Sequence, residues 1–278
     1  MVLLALDTST RQASIALCTE DMLLGEYTWQ IGNNHSVELL EHIQRLLLTC
    51  HVSMQQIDAF AVATGPGSFN GVRVALATAK TLSFALKKPL IGVSTLDSIA
   101  IQQRQWQGPV CAILEAGRSE IYAACYLFAH VRSEAGVLDY QMRRLSDYML
   151  LAPQQVADYI QEQASNWVGV PGERSLPPSL FCGEISAASQ QVLEAQLQTN
   201  SLFVANVQAT RHASMLAWLA LQRLRAGTQD DPLLLEPLYL RRPSITTSTR
   251  KQPLLGGKSQ RPTTGQSQTE REEGALRH

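Results

Sequence analysis

Asp58-Ala59-Phe60-Ala61-Val62-Ala63-Thr64-Gly65-Pro66-Gly67-Ser68-Phe69-Asn70-Gly71-Val72-Arg73 passes from an apolar run, through a glycine-proline break, into a segment of helical period. Apolar residues of both parities across Asp58–Thr64 describe a buried strand, and Gly65-Pro66-Gly67-Ser68 ends it. From about Gly71 to Leu86 the period becomes helical: Val72, Leu76, Ala79, Leu82 and Leu86 form one stripe. Lys87 and Lys88 suit the C-terminal dipole of that helix, and Pro89 stops it. Upstream, Leu39, Ile43, Leu46 and Cys50 give a helical stripe over Ser36–Cys50. Before that, Val2–Leu6, Ser14–Cys18 and Met22–Thr28 are short apolar or alternating runs between polar turns, the pattern of an antiparallel meander. Downstream, Leu90–Val93 is a further strand, and Ser94 caps a helix through Ile101. The order β-β-β-α-β-α-β-α predicts an α/β fold, a mixed sheet with helices on its faces.

This order is similar to the ribonuclease-H-like half-domain of the actin, sugar-kinase and chaperone-ATPase superfamily. Residues 1–105 would form one such domain. Residues 106–243 would form a second, reduced one, with strands near Val110–Leu114, Ile121–Phe128, Val137–Leu145 and Leu180–Cys182. Its helices would follow Pro153, span about Ala187–Leu197, and run from His212 to Arg225, with Trp218 folding back on the first domain. Residues 244–278 contain no aromatic residue and are rich in Thr, Ser, Gln, Gly and Arg, so a disordered tail is expected there.

Composition narrows the function classes. At 45% hydrophobic and 6% aromatic, the core must be aliphatic and rich in alanine. Of the 23 basic and 24 acidic residues, the stretch from Ser244 holds six and three, which leaves 17 and 21 in residues 1–243. A body of that sign is a poor nucleic-acid binder by itself, because phosphate contacts dominate such affinity. No apolar run has the length of a membrane span. Met1-Val2-Leu3-Leu4-Ala5-Leu6 reaches Asp7 without a basic region or a cleavage site, so a cytoplasmic protein is expected. Cys18, Cys50, Cys111, Cys125 and Cys182 are scattered without C-x-x-C spacing and are read as small buried residues.

Three stretches together resemble the TsaB (YeaZ) family: Leu4-Ala5-Leu6-Asp7-Thr8-Ser9-Thr10, Gly65-Pro66-Gly67-Ser68-Phe69-Asn70-Gly71-Val72-Arg73, and Pro237-Leu238-Tyr239-Leu240-Arg241-Arg242-Pro243. The resemblance covers about residues 1–243. It implies a scaffold that pairs with the catalytic paralogue TsaD and is joined by the ATPase TsaE, in a complex that transfers threonylcarbamoyl to the adenosine next to the tRNA anticodon. In that reading tRNA is met only through the complex, ATP or ADP only at the interface with the partner, and the chain can self-pair when alone. The family usually has Asp-Ala-Arg before Glu-x-Tyr. Here Glu115 and Gly117 stand at two of those places, while Glu120 and Tyr122 fit.

The residues themselves argue against chemistry. TsaD resembles a metal site built on His-x-x-x-His, in which two imidazoles share a helix face. Here His35 is followed at that spacing by Leu39, and His42 lies seven residues on, about 10 Å along the axis. A metallopeptidase-like site is therefore not expected. An actin-like kinase or ATPase needs a phosphate-cradling turn in each domain. Asp7, Thr8, Ser9 and Thr10 are candidates for the first, with Asp7 orienting a magnesium-bound water; the alternative is a tight hairpin whose side chains cap backbone amides. Gly65, Gly67, Ser68 and Gly71 open a helix and offer amides to an anion, or else serve strand-to-helix packing. The second turn, Leu114–Tyr122, has one glycine and carboxylates that would repel phosphate. We therefore read any nucleotide site as vestigial, with no metal site, no catalytic residue and no cofactor of its own.

Two helices are apolar on more than one side. Opposite the 72–76–79–82–86 stripe lie Arg73, Ala77, Lys80, Thr81 and Phe84, and the first helix adds Val37, Leu40 and Leu47 beside its own stripe. A helix apolar on two sides is usually covered on both. These residues are the expected partner interface, with the second domain as the other candidate cover.

Overall fold

The computed structural model describes residues 1–31, 35–132, 138–167, 177–205 and 208–241, and the expected tail at 244–278 lies outside them. Met1–Arg242 forms one compact unit. Its first sheet contains β1 (Val2–Asp7), β2 (Gln12–Thr19), β3 (Leu23–Gln30), β4 (Ala59–Ala63) and β5 (Leu90–Val93), in the order β3-β2-β1-β4-β5. β1 pairs antiparallel with β2 and parallel with β4. Alternation along β1 serves two cores at once, since successive side chains leave opposite faces of a strand. Leu4 and Leu6 join Ile15, Leu17, Phe60 and Val62 under α1 (His35–Thr49) and α2 (Phe69–Leu86). Leu3 and Ala5 face the other way, toward the rest of the molecule.

α3 (Thr95–Ala100) closes the first half, and the second repeats its order. β6 (Val110–Gly117), β7 (Glu120–Arg132) and β8 (Leu138–Arg144) are antiparallel, and β9 (Met149–Leu151) adds to β7. α4 (Pro153–Gln163), β10 (Ser179–Glu184), α5 (Ala187–Leu197), β11 (Ser201–Phe203) and α6 (Ala213–Arg225) follow. The sheet order β11-β10-β6-β7-β8 repeats that of the first sheet, with smaller members: α4 and α5 have 11 residues each, against 15 and 18 in α1 and α2. The fold is α/β with two ribonuclease-H-like halves, the second reduced.

The halves exchange their last helices. α6 packs on β1, β2, β4 and β5 of the first sheet, and α3 on β6, β7 and β10 of the second. Trp218 of α6 thus packs on a core that includes first-sheet residues. Both helices lie in one shared core whose strands contribute Ala5, Ala16, Ala59, Ala61, Ala63, Ala112 and Ala124, and whose α6 contributes Ala213, Ala217 and Ala220. Small side chains let helix and sheet backbones approach closely, which is where the alanine-rich composition is spent.

The chain after α6 guards an edge. β5 ends the first sheet, and an open edge invites pairing with other chains. Asp230 donates its amide to Leu90 O at 2.9 Å and accepts from Gly92 N at 2.8 Å, while Arg223 donates to Gly92 O at 2.6 Å. The sequence gives no sign of this cover, nor of β9 and β11, which are only three residues long. The cysteine reading needs one amendment, because Cys50 is only half-buried.

Candidate functional site

Asp7 ends β1 at the shared edge of the two halves and is buried, as are Thr8 and Ser9. The side chains of Asp7, Thr8, Ser9 and Thr10 are committed to protein. Asp7 Oδ1 accepts from Ser9 N at 2.8 Å and Ser9 Oγ at 2.5 Å, and Thr8 Oγ1 donates to Gly71 O at 2.6 Å. Thr10 Oγ1 donates to Glu184 Oε1 at 2.6 Å. The glycine loop docks against this turn, with Ser68 N donating to Ser9 O at 2.6 Å. A Cβ at Gly67 would strike the Ser9 carbonyl oxygen, and one at Gly71 the Thr8 carbonyl oxygen. That close approach is why glycine is needed there. Ser68 Oγ accepts from Gly71 N at 3.3 Å and caps α2. The structure thus brings Asp7, Thr8, Ser9, Gly67, Ser68 and Gly71 into one knot, with Gly65 and Thr10 at its flanks.

At its centre is a residue that sequence reasoning missed. Arg211 is 2% exposed, and its Nε donates to Asp7 Oδ2 at 3.0 Å. Its other nitrogens donate to Glu184 Oε1 and to the Gln12 carbonyl oxygen. Burial alone would push the guanidinium down, but Asp7 and Glu184 outweigh it and hold its pKa above the ordinary value. The start of α6 places it: Arg211 N donates to Gln12 Oε1, Ala213 N to Ser14 Oγ and Ser214 N to Glu26 Oε1. β2 and β3 therefore cap α6 and fix the residue before it. An arginine ahead of an apolar helix carries no sequence signal of such burial.

The second turn is equally occupied. Arg118 and Ser119 both have positive φ, the conformation of a two-residue type I′ hairpin, so the turn is tight. Arg241 donates to the Ala116 carbonyl at 2.9 Å and pairs with Glu120. Glu115 Oε1 accepts at 2.8 Å from the amide of Ser186, the serine that caps α5. What remains of a cleft between the turns is a cavity of about 430 Å³, lined by Glu115 and Glu184 among others. Among the described residues, no cluster of three or more His, Cys, Asp or Glu side chains could hold a metal ion.

A family model described as TsaD, tRNA N6-adenosine threonylcarbamoyltransferase, matches residues 30–249. The protein named tRNA threonylcarbamoyladenosine biosynthesis protein TsaB from Bacillus subtilis (strain 168) is 30% identical over 241 residues, 87% of this chain and 94% of that protein. The chain belongs to the TsaB (YeaZ) family. The Haemophilus influenzae protein of the same name is 29% identical over 247 residues, 87% of this chain and 94% of its own. A crystal structure from Pseudomonas aeruginosa, described as an uncharacterized protein with similarity to peptidase YEAZ, superposes with a TM-score of 0.66 at 28% identity, covering 86% of this chain and 99% of that one.

In this TsaB-family chain the late motif is a strap. Leu238 N donates to Thr64 O at 2.8 Å, Tyr239 stacks on Phe69 with ring centroids 5.3 Å apart, and its hydroxyl accepts from Arg73 Nε at 2.9 Å. The strap joins the start of α2 to the second turn. The chain just ahead of it engages the expected interface: Lys80 Nζ donates to Leu235 O at 3.0 Å. The remaining outer residues stand clear. Val37 is 64% exposed, Leu40 54% and Phe84 72%, with Ala77 and Thr81 exposed between them. Leu47 is a correction: it is 7% exposed and packs into the core under α1, because it follows Ile43 by four residues and so shares the helix face that the sheet takes. Leu48, 76% exposed, lies on the outer side in its place.

Proposed function

We propose that this chain serves tRNA threonylcarbamoyladenosine biosynthesis as a non-catalytic subunit that pairs with a TsaD-type transferase. A TsaE-type ATPase joins the pair, and tRNA is met only through the complex. The carrying observation is the outer face of α1 and α2. Val37, Leu40, Ala77 and Phe84 stay exposed on helices whose opposite stripes already anchor them to the sheet. Apolar side chains in that arrangement suit a partner's helices, and the same face would serve self-pairing when the partner is absent. Arg211 supports the non-catalytic part. A fixed guanidinium on Asp7 takes the carboxylate that an actin-like ATPase would turn toward a magnesium ion. ATP or ADP would then be held only where the partner completes a site. The reading places the protein in the cytoplasm; no helix among the described residues is long and apolar enough to cross a membrane.

Ala77→Arg tests the face. Ala77 is exposed, so the lone variant should give an unchanged circular dichroism spectrum. In a close helix contact, an added arginine overpacks and is desolvated, and a loss of about 3 kcal/mol weakens binding more than a hundredfold. Size-exclusion chromatography with the cell's TsaD-type protein should show the pair lost. Near-native pairing would place the interface elsewhere. Purified chain should also release no phosphate from ATP above background, and steady release abolished by Asp7→Ala would overturn the non-catalytic assignment.

A further inference from the structure

Beneath the strap lies a cavity of about 990 Å³ that neither the Asp7 knot nor the outer helical face uses. Its size is that of a small-molecule site. Asp97 of α3 lines it, half-buried. Tyr126 Oη donates to Asp97 Oδ1 at 2.7 Å, and Tyr148 Oη lies 2.9 and 3.0 Å from its two oxygens. Burial, and then Asp97 itself, keep Tyr126 far above the usual tyrosine range and push Tyr148 up to about 12. Both phenols therefore stay protonated and donate to the Asp97 carboxylate. Two hydroxyls do not exhaust a carboxylate's lone pairs. No ion pair reaches Asp97 among the described residues. Arg144, whose guanidinium lies 4.2 Å from the Tyr148 ring centroid, acts on it only through space.

The cavity's other charges point the same way. Arg223 lines it but donates to Gly92 O at 2.6 Å and to Asp230 at 3.1 Å, so its charge is spent. Glu236, just ahead of the strap, is exposed and makes no hydrogen bond or ion pair among the described residues. Val93, Leu219, Leu235 and Met142 supply apolar wall. Two carboxylates and an aliphatic lining complement a hydrocarbon chain that ends in ammonium groups. We propose that this cavity binds an aliphatic di- or polyamine, with one ammonium on Asp97 and another toward Glu236. Burial drives the Asp97 carboxyl upward against the tyrosine hydrogen bonds, and a seated ammonium supplies compensation that the protein leaves incomplete. The site is separate from the pairing face and does not depend on it.

Isothermal titration of the full chain with spermidine tests this. Saturable binding of one molecule per chain is expected, and octanediol, an uncharged aliphatic chain, should give no binding. Asp97→Asn should weaken spermidine at least about tenfold. Met142→Trp should do the same by filling the cavity while keeping the Asp97 hydrogen bonds. Circular dichroism checks that each variant folds. If Asp97→Asn does not, Met142→Trp decides. Absence of saturable binding overturns the proposal, as does binding that survives Met142→Trp unchanged, which would be adsorption to the acidic surface.

Discussion

Arg211 cannot shed its charge when buried, as a lysine can, so its cost must be met by its neighbours. Asp7, Glu184 and the Gln12 carbonyl do so, and they come from both halves of the molecule. Breaking a buried pair by removing one partner typically costs about 3–5 kcal/mol, because the other charge is stranded. Arg211→Met should therefore lower the unfolding free energy by about that amount in urea titration. Adding Asp7→Asn to it should recover part of the loss, since the stranded charge is then gone. A loss well below 1 kcal/mol, or strictly additive double-variant behaviour, would mean that the pair is not coupled. The same residues mark the limit of sequence reading. Asp7, Thr8, Ser9 and the glycines are visible as a motif, and both of their readings fit the sequence. Arg211, some two hundred residues away, is the contact on Asp7 that the motif itself does not reveal.

At the scale of elements, legibility follows period and length. The order of the first eight elements reads directly, because the strands are apolar runs cut by glycine or polar turns and the helices carry clear stripes. β9 and β11 are too short to show a period, and the strap has none. Leu47 fails for another reason: apolar residues on two helix sides do not say which side the sheet takes. The start of α6 yields a prediction about pH. Hydrogen bonding to Glu26, at 2.9 Å, raises the His212 pKa above its ordinary value despite some burial. Burial would raise Glu26, but its bonds to His212 and Ser214 prevail and lower it. A raised histidine contributes fully below its unfolded pKa of about 6.5 and loses that contribution as pH rises through its folded value. A lowered carboxyl contributes above about 4.3 and loses it as pH falls. The pair should thus be strongest between about pH 4.3 and 6.5. The urea midpoint of Glu26→Gln should lie furthest below wild type in that window, and the gap should narrow toward pH 8. A gap that stays constant across this range would show that Glu26 acts only as the cap of α6. Because His212 is 46% exposed, the effect should also shrink with salt.

Across the whole molecule, the exchange of α3 and α6 means that strands and helices divide differently. Strands before Ala100 belong to one sheet and strands after it to the other, yet the inner face of the first sheet is covered by a helix more than a hundred residues downstream. A fragment of residues 1–105 would therefore expose Leu3, Ala5, Ala61, Ile91 and Val93 together, a contiguous apolar face with no cover. It would also leave the Asp7 carboxylate without Arg211. Removing the second half thus takes away helix cover, the buried ion pair and the edge guard at once, and no compensating contact replaces them. We predict that residues 1–105 alone give no cooperative urea transition, and that the full chain unfolds as one unit. Two tryptophans can report on the halves separately. Trp29 packs beside the outer core of the first sheet, and Trp167 lies in the outer core of the second. Variants that keep only one of them should show coincident urea midpoints, since neither half retains its inner core once the other opens. Midpoints that separate, or a 1–105 fragment with a sharp transition of its own, would show that each sheet carries a sufficient core and that the exchanged helices only dock on it.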